Sequence, residues 1–273
     1  MNTLPTLFVS HGAPTFALQP GQAGALLGAL GNSLPRPDAV LVVSPHWMPG
    51  TLQVTAAERP ETIHDFSGFP PALYELQYPA AGAPQIAAEV IATLAAAGIP
   101  AQANATRGLD HGAWVPLRFL YPAADVPVPQ LSLPRSRNPH DFLALGRALA
   151  PLRTQGVLVV GSGSVTHNLG DFRGERDADE PYVAAFAGWL RAAIAAGDLD
   201  ALLDYRARAP HAQRAHPTDE HLMPLLVALG AAGEDWRASR HLDGGVDYGM
   251  LAMDAYLFGV GDDTNHSPPI TTA

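Results

Sequence analysis

Gly156-Val157-Leu158-Val159-Val160-Gly161 sets four branched aliphatic residues between two glycines. A short unbroken apolar run bounded by turn residues marks a strand buried on both faces. Ala39-Val40-Leu41-Val42-Val43-Ser44 repeats the pattern. Working outward, Thr6–Ser10 reads as the first strand, Leu52–Ala56 as a strand nearer an edge, and Val128–Leu133 as a short, Pro-flanked one. Helical patterns cover Gly21–Leu30, Pro84–Ala97, Pro139–Leu152, Pro181–Ala196 and Pro224–Ala232. Pro opens four of them, at the first helical position, where its missing N–H costs nothing. Segments 84–97 and 181–196 carry the i, i+3, i+4 apolar spacing of helices packed on a sheet. The alternation predicts an α/β fold: a single-domain three-layer αβα sandwich around a mixed, largely parallel sheet. Thr51–Val54 and Leu73–Tyr78 are expected to add antiparallel edges. No composition break divides residues 1–260, and the polar, Pro-rich stretch 261–273 is expected to be a disordered tail.

Composition excludes several chemistries. All 16 basic residues are Arg, so a Schiff-base lysine, a pyridoxal-phosphate attachment point and a Walker phosphate loop are ruled out. The absence of Cys removes thiol nucleophiles, thiolate metal sites and disulfides. A net charge of -10 without a basic cluster speaks against nucleic acid or an anionic membrane as partner. No apolar run approaches the roughly 20 residues of a membrane span, and no targeting signal stands out. A cytoplasmic location is expected. Nothing in the sequence decides between a monomer and a homo-oligomer.

The 11 histidines are more informative by position than by number. His11 directly follows the Thr6–Ser10 strand, His46 lies just past Ala39–Ser44, and His167 follows the strand ending at Gly161. In open α/β sheets the ligand crevice lies outside the carboxyl ends of the strands, so these three imidazoles converge on one edge. Gly108-Leu109-Asp110-His111-Gly112 sets an Asp-His pair in a loop ahead of an apolar stretch. His216-Pro217-Thr218-Asp219-Glu220-His221 precedes the last helix. Imidazole and carboxylate donors without thiolates point to iron(II), zinc or manganese. Two His and one carboxylate would suit non-haem iron and dioxygen, while three His would suit a zinc hydrolase. The loop Ile63-His64-Asp65-Phe66-Ser67-Gly68-Phe69-Pro70-Pro71 is a candidate wall for an aromatic substrate. Gly161-Ser162-Gly163-Ser164 lacks the register of a dinucleotide loop, and His140, His211, His241 and His266 read as surface residues.

Ser10-His11-Gly12-Ala13-Pro14, Ser44-Pro45-His46-Trp47, Ile63-His64-Asp65-Phe66, Asp110-His111-Gly112, His167-Asn168-Leu169 and Pro217-Thr218-Asp219-Glu220-His221 occur in that order. Together they resemble the bacterial and plant 4,5-DOPA extradiol dioxygenase family, from about residue 4 to about residue 258. That family lies among the class III extradiol ring-cleavage dioxygenases, alongside the protocatechuate 4,5-dioxygenase catalytic subunit.

The resemblance implies one αβα domain with a mononuclear iron(II) centre that opens a catechol such as DOPA with O2. By motif position it assigns His11 and His46 as metal ligands and His221 as the third. His167 corresponds to the acid/base residue, which can join a resting zinc ion as a fourth ligand, and His111 to a second catalytic histidine. The protocatechuate branch has Glu as third ligand, so Glu220 rivals His221. The other readings are a zinc-dependent hydrolase using the same cluster and a non-catalytic metal-binding protein.

Overall fold

The computed structural model describes residues 3–136, 138–174 and 178–260. The strands are β1 Thr6–Ser10, β2 Ala39–Ser44, β3 Leu52–Thr55, β4 Ala101–Asn104 and β5 Gln130–Ser132. They continue with β6 Val157–Gly163, β7 Ser239–Leu242, β8 Val246–Asp247, β9 Leu251–Ala252 and β10 Ala255–Phe258. The helices are α1 Gly21–Ser33, α2 Pro71–Glu75, α3 Pro84–Ala96, α4 His111–Leu120 and α5 Pro139–Leu149. After them come α6 Pro181–Ala195, α7 Leu199–Leu203, α8 Tyr205–Arg208, α9 Ala212–Ala215 and α10 Met223–Ala231.

Eight strands form one sheet in the order β4-β3-β5-β2-β6-β1-β10-β7. Its centre, β5-β2-β6-β1, is parallel throughout. On one side β3 turns antiparallel to β5 and pairs parallel with β4. On the other, β10 runs antiparallel to β1 and β7 antiparallel to β10. The sheet is thus mixed and largely parallel at its core, as the alternation of patterns predicts.

Because side chains alternate along a strand, each buried run feeds both faces. Leu7, Val9, Val40, Val42, Leu158 and Val160 pack with Leu27 of α1 and Trp114 of α4. Phe8, Leu41, Val43, Val157 and Val159 pack on the opposite face with α3, α5, α6 and α10. Every residue of α10 is buried, and it crosses α5 at two glycines. A Cβ on Gly146 would stand 2.2 Å from the Val227 carbonyl oxygen, and one on Gly230 2.4 Å from that of Leu143.

Several boundaries differ from expectation. Leu73–Tyr78 adds no strand, because Pro71 starts the short helix α2 there. The β3 region lies inside the sheet rather than at its rim, because β4 covers it. His111 is the first residue of a helix, not part of a loop. His140 and His211 are exposed, whereas His241 is paired with Asp254 and half-buried. The expectations for His266 and the 261–273 tail lie outside the described residues.

The stretch after β6 is laced to the approach to α10. Ser164 N–H donates to the His221 carbonyl at 2.8 Å, and His167 N–H to that of Ala215 at 2.8 Å. Between them His216, fully buried against Phe186 and Tyr205, donates from Nε2 to the Val165 carbonyl at 2.8 Å. Burial holds its pKa down to about 4, against the smaller opposing effect of the Val165 bond. A base whose folded pKa lies below its unfolded value of about 6.5 stabilises fully above 6.5 and loses that contribution as pH falls. The denaturation midpoint of metal-free protein should therefore fall between about pH 6.5 and 4. In His216→Phe the fall should be shallower, and an unchanged slope would show that His216 contributes none of it.

Candidate metal centre

The carboxyl edge of the central strands carries the cluster. His11 follows β1, and its N–H donates to the Gly163 carbonyl at 2.9 Å, continuing the ladder to β6. His46 lies two residues past β2, its N–H bonded to Ser44 Oγ at 3.2 Å. His111 opens α4 beside it, and Gly112 makes that approach possible. A Cβ at Gly112 would sit 2.3 Å from Ser44 Oγ and 3.0 Å from His46 Cδ2. His221 precedes α10, and a Cβ at Gly163 would stand 2.1 Å from its carbonyl oxygen. The Gly161–Ser164 stretch is mostly strand, and its glycines leave room for the His221–Pro224 segment to close over it.

Ligand atoms of His11, His46 and His221 all lie within 4.8 Å of one another. His11 Nε2 and His46 Nε2 are 3.1 Å apart. Which nitrogens carry protons follows from their other partners. Ser162 Oγ donates to the Gly112 carbonyl, so toward His11 Nδ1, 3.0 Å away, it can only accept. The proton of His11 thus sits on Nδ1, and Nε2 keeps its lone pair. His221 Nδ1 faces Glu220 Oε1 at 3.3 Å, and its buried Nε2 has no partner. His46 Nδ1 faces Asp65 Oδ2 at 3.4 Å. His11 and His221 thus keep Nε2 lone pairs while oxygen atoms take their Nδ1 protons, and His46 Nε2, in contact with His11 Nε2, turns to the same place. Such a donor set fits a divalent cation, and it is the arrangement by which a second layer orients metal-binding histidines.

The electrostatics agree. His11 and His221 lie well below the ordinary imidazole pKa, first through burial and then through their neighbouring rings. Burial, then His111, brings His46 to about 3, with Asp65 opposing. All three are neutral, as ligands must be.

His167 lies flat on the His221 ring, centroids 3.5 Å apart and planes at 7°. Burial lowers its pKa to about 4, with Glu220 opposing. His111 is gripped twice by Asp65, through its backbone N–H to Oδ1 at 2.8 Å and ring Nδ1 to Oδ2 at 2.9 Å. Burial alone would raise the Asp65 pKa, but the bonds from His111 outweigh it and hold it at about 2. Asp65 and Ser162 are the site residues that sequence reading did not single out. Asp65 lay inside a quoted motif, and Ser162 carried no signal beyond its place in a glycine-rich strand.

All five histidines line one cavity of about 590 Å³. Its remaining wall includes Phe66, Phe69, Phe172, Tyr248 and Met250, so the 63–69 loop does form part of it. Glu220 instead lines a separate cavity with Met48 and Arg135, and accepts from Thr218 Oγ1 at 2.8 Å.

Residues 27–256 match the family described as the catalytic LigB subunit of aromatic ring-opening dioxygenase. A 4,5-DOPA dioxygenase extradiol of Beta vulgaris is 39% identical over 94% of this chain and 97% of its own. One from Escherichia coli K12 is 37% identical over 92% and 93%. A solved structure of an uncharacterised Escherichia coli K12 protein superposes with a TM-score of 0.74 at 30% identity, covering 94% of this chain and 100% of that one. A match over most of the length, in sequence and in fold, leaves one conclusion: the chain belongs to the LigB family and is an extradiol, aromatic ring-opening dioxygenase.

Proposed function

We propose that the substrate is a catechol, DOPA among the candidates, and that one iron(II) ion held by His11, His46 and His221 serves its ring opening by O2. The observation that carries this reading is the convergence of the ring nitrogens of His11, His46 and His221 at one end of an aromatic-walled cavity. Zinc suits the same three neutral imidazoles and is the metal expected to substitute in a resting protein. His221 is preferred to Glu220 as third ligand, because the Glu220 carboxylate already accepts from His221 and Thr218.

Iron(II), when bound, supplies the redox coupling between an electron-rich ring and O2 and makes a coordinated phenol more acidic. The chain's own residues manage protons and orientation. Neutral His167 takes a proton from a catechol hydroxyl and, as imidazolium, returns it to a departing oxygen. His111, its Nδ1–H committed to Asp65, keeps Nε2 as the acceptor on a ring that lines the cavity. It orients the second hydroxyl from the opposite side. Both atoms of O2 end in the product, a semialdehyde acid formed by breaking the ring bond next to the paired hydroxyls. Phe66, packed edge-on to His111 at 5.7 Å, keeps water from that side of the ring.

The direct test is catechol turnover in aerated against anaerobic buffer, with iron(II) added back to metal-free protein. Yellow product and oxygen uptake in equal amounts are expected only with both present. Turnover without O2 would favour the hydrolase reading instead.

Metal content separates the ligands from their supports. His11→Ala, His46→Ala and His221→Ala should each lose the metal. Ser162→Ala, which frees the His11 proton to move to Nε2, should weaken affinity by about 10–100-fold. Loss in Glu220→Ala with retention in His221→Ala would reassign the third ligand.

His167→Ala should lower kcat by about 10²–10⁴-fold, the usual worth of a positioned acid–base group, while metal content is largely kept. Complete loss of iron would make His167 a ligand rather than a base.

A further inference from the structure

We infer that His64 is a positioning residue: it closes the neck of an Ω-loop whose body forms one wall of the substrate cavity, and so sets how tightly that cavity holds its ligand. The substrate side of this rests on the catechol reading. His64 itself does not line the cavity.

The chain is well anchored as it enters the loop. Ile63 N–H donates to the Leu109 carbonyl at 2.8 Å, and the Trp114 indole N–H donates to the Ile63 carbonyl at 3.0 Å. Asp65 is held by the two bonds from His111. Past Asp65 that support ends. Among the described residues, Phe66, Ser67, Gly68 and Phe69 make no backbone–backbone hydrogen bond, and all four line the cavity. Their position therefore depends on how the loop is closed at its base.

Two rungs close it, and side chains make both. Tyr78 N–H donates to Thr62 Oγ1 at 2.9 Å, and His64 Nε2–H donates to the Leu76 carbonyl at 3.0 Å. A carbonyl can only accept, so the proton of His64 sits on Nε2. Above the neck the loop is filled by its own rings. Phe66 packs on Phe69 at 5.4 Å and on Tyr74 at 5.3 Å, while His64 lies edge-on to Phe66 at 5.7 Å and to Trp114 at 5.8 Å. Close ends around a body packed by its own side chains define an Ω-loop. His64 belongs to both parts, with its ring in the cluster and its N–H in the neck.

Opening the neck frees the aromatic wall but leaves the separately anchored Asp65–His111 pair in place. A protein whose binding-competent form is only partly populated binds its ligand more weakly by that fraction, and saturating ligand restores it. Loosening the neck therefore raises KM and spares kcat.

The test is steady-state kinetics of iron(II)-loaded enzyme with 4-methylcatechol. His64→Phe keeps a ring in the cluster but has no N–H to donate. Its KM should rise about threefold to tenfold, the worth of one neutral hydrogen bond, with kcat and iron content unchanged. His64→Gln, whose amide nitrogen can reach the Leu76 carbonyl, should bring KM back toward the wild-type value. Thr62→Val removes the outer rung at a residue that does not line the cavity, and should raise KM in the same way. An unchanged KM in His64→Phe, a loss confined to kcat or iron, or a KM that Gln does not restore overturns the inference. Failure of both His64→Phe and Thr62→Val to fold overturns it too, because the neck is then a support of the whole fold. If the wild type opens no catechol, the catechol reading fails by itself. Hydrogen exchange over residues 66–75 of the zinc-loaded proteins then decides the role of the neck. Faster exchange in His64→Phe, restored in His64→Gln, is expected, and equal rates overturn the inference.

Discussion

The rings of His11, His46 and His221 are packed so closely that their ligand atoms lie within 4.8 Å of one another, with His11 Nε2 and His46 Nε2 in hydrogen-bond contact at 3.1 Å. Ser162 holds the proton of His11 on the far side of its ring, and the backbone leaves the rings no other place. Burial makes ionising these rings unfavourable, so they stay neutral near neutral pH. A close set of neutral imidazoles suits a cation, and the rest of the structure serves to keep it from spreading apart.

That restraint comes from the backbone more than from the side chains. His11 is held by a continuing β1–β6 hydrogen bond, and His221 by the bond its carbonyl accepts from Ser164. Gly112 and Gly163 have no Cβ because none would fit. The buried helix α10, locked on α5 by crossed glycines, fixes where the His221 segment can lie. Any methyl group added along this line would push one histidine out of reach of the others, at a cost typical of overpacked interiors.

What the sequence revealed follows from range of interaction. Buried strands such as Val157–Val160 and the Pro-led helices are local signals, so the layers and the convergence of His11, His46 and His167 could be read directly. Ala101–Asn104 could not, because four small or polar residues become a strand only through pairing with Leu52–Thr55. The C-terminal β10 is likewise defined by β1, more than two hundred residues earlier in the chain, and β7 by its pairing with β10. The start of α4 was hidden by Gly112 and by Pro116 inside it, both of which disfavour helix locally. Asp65 and Ser162 escaped for the same reason. Each acts on a histidine distant in sequence, and nothing near either residue announces the partner.

Five histidines share one pocket, and their other partners set them apart. With His221 as the proposed third ligand, the carboxylate of Glu220 is kept one ring away, acting through Nδ1 at 3.3 Å. A cation held there would keep one more unit of positive charge than under direct carboxylate ligation, which would favour a doubly deprotonated catechol. On that proposal, the protons released would go to rings that are not ligands. His167, stacked on His221, and His111, tied to Asp65, stand on that boundary. Asp65 serves two rings at once, near the His46 Nδ1 and bonded to the His111 Nδ1. A movement of that carboxylate toward one ring is therefore felt at the other, so the proposed ligand and the proposed second catalytic histidine are coupled through one side chain.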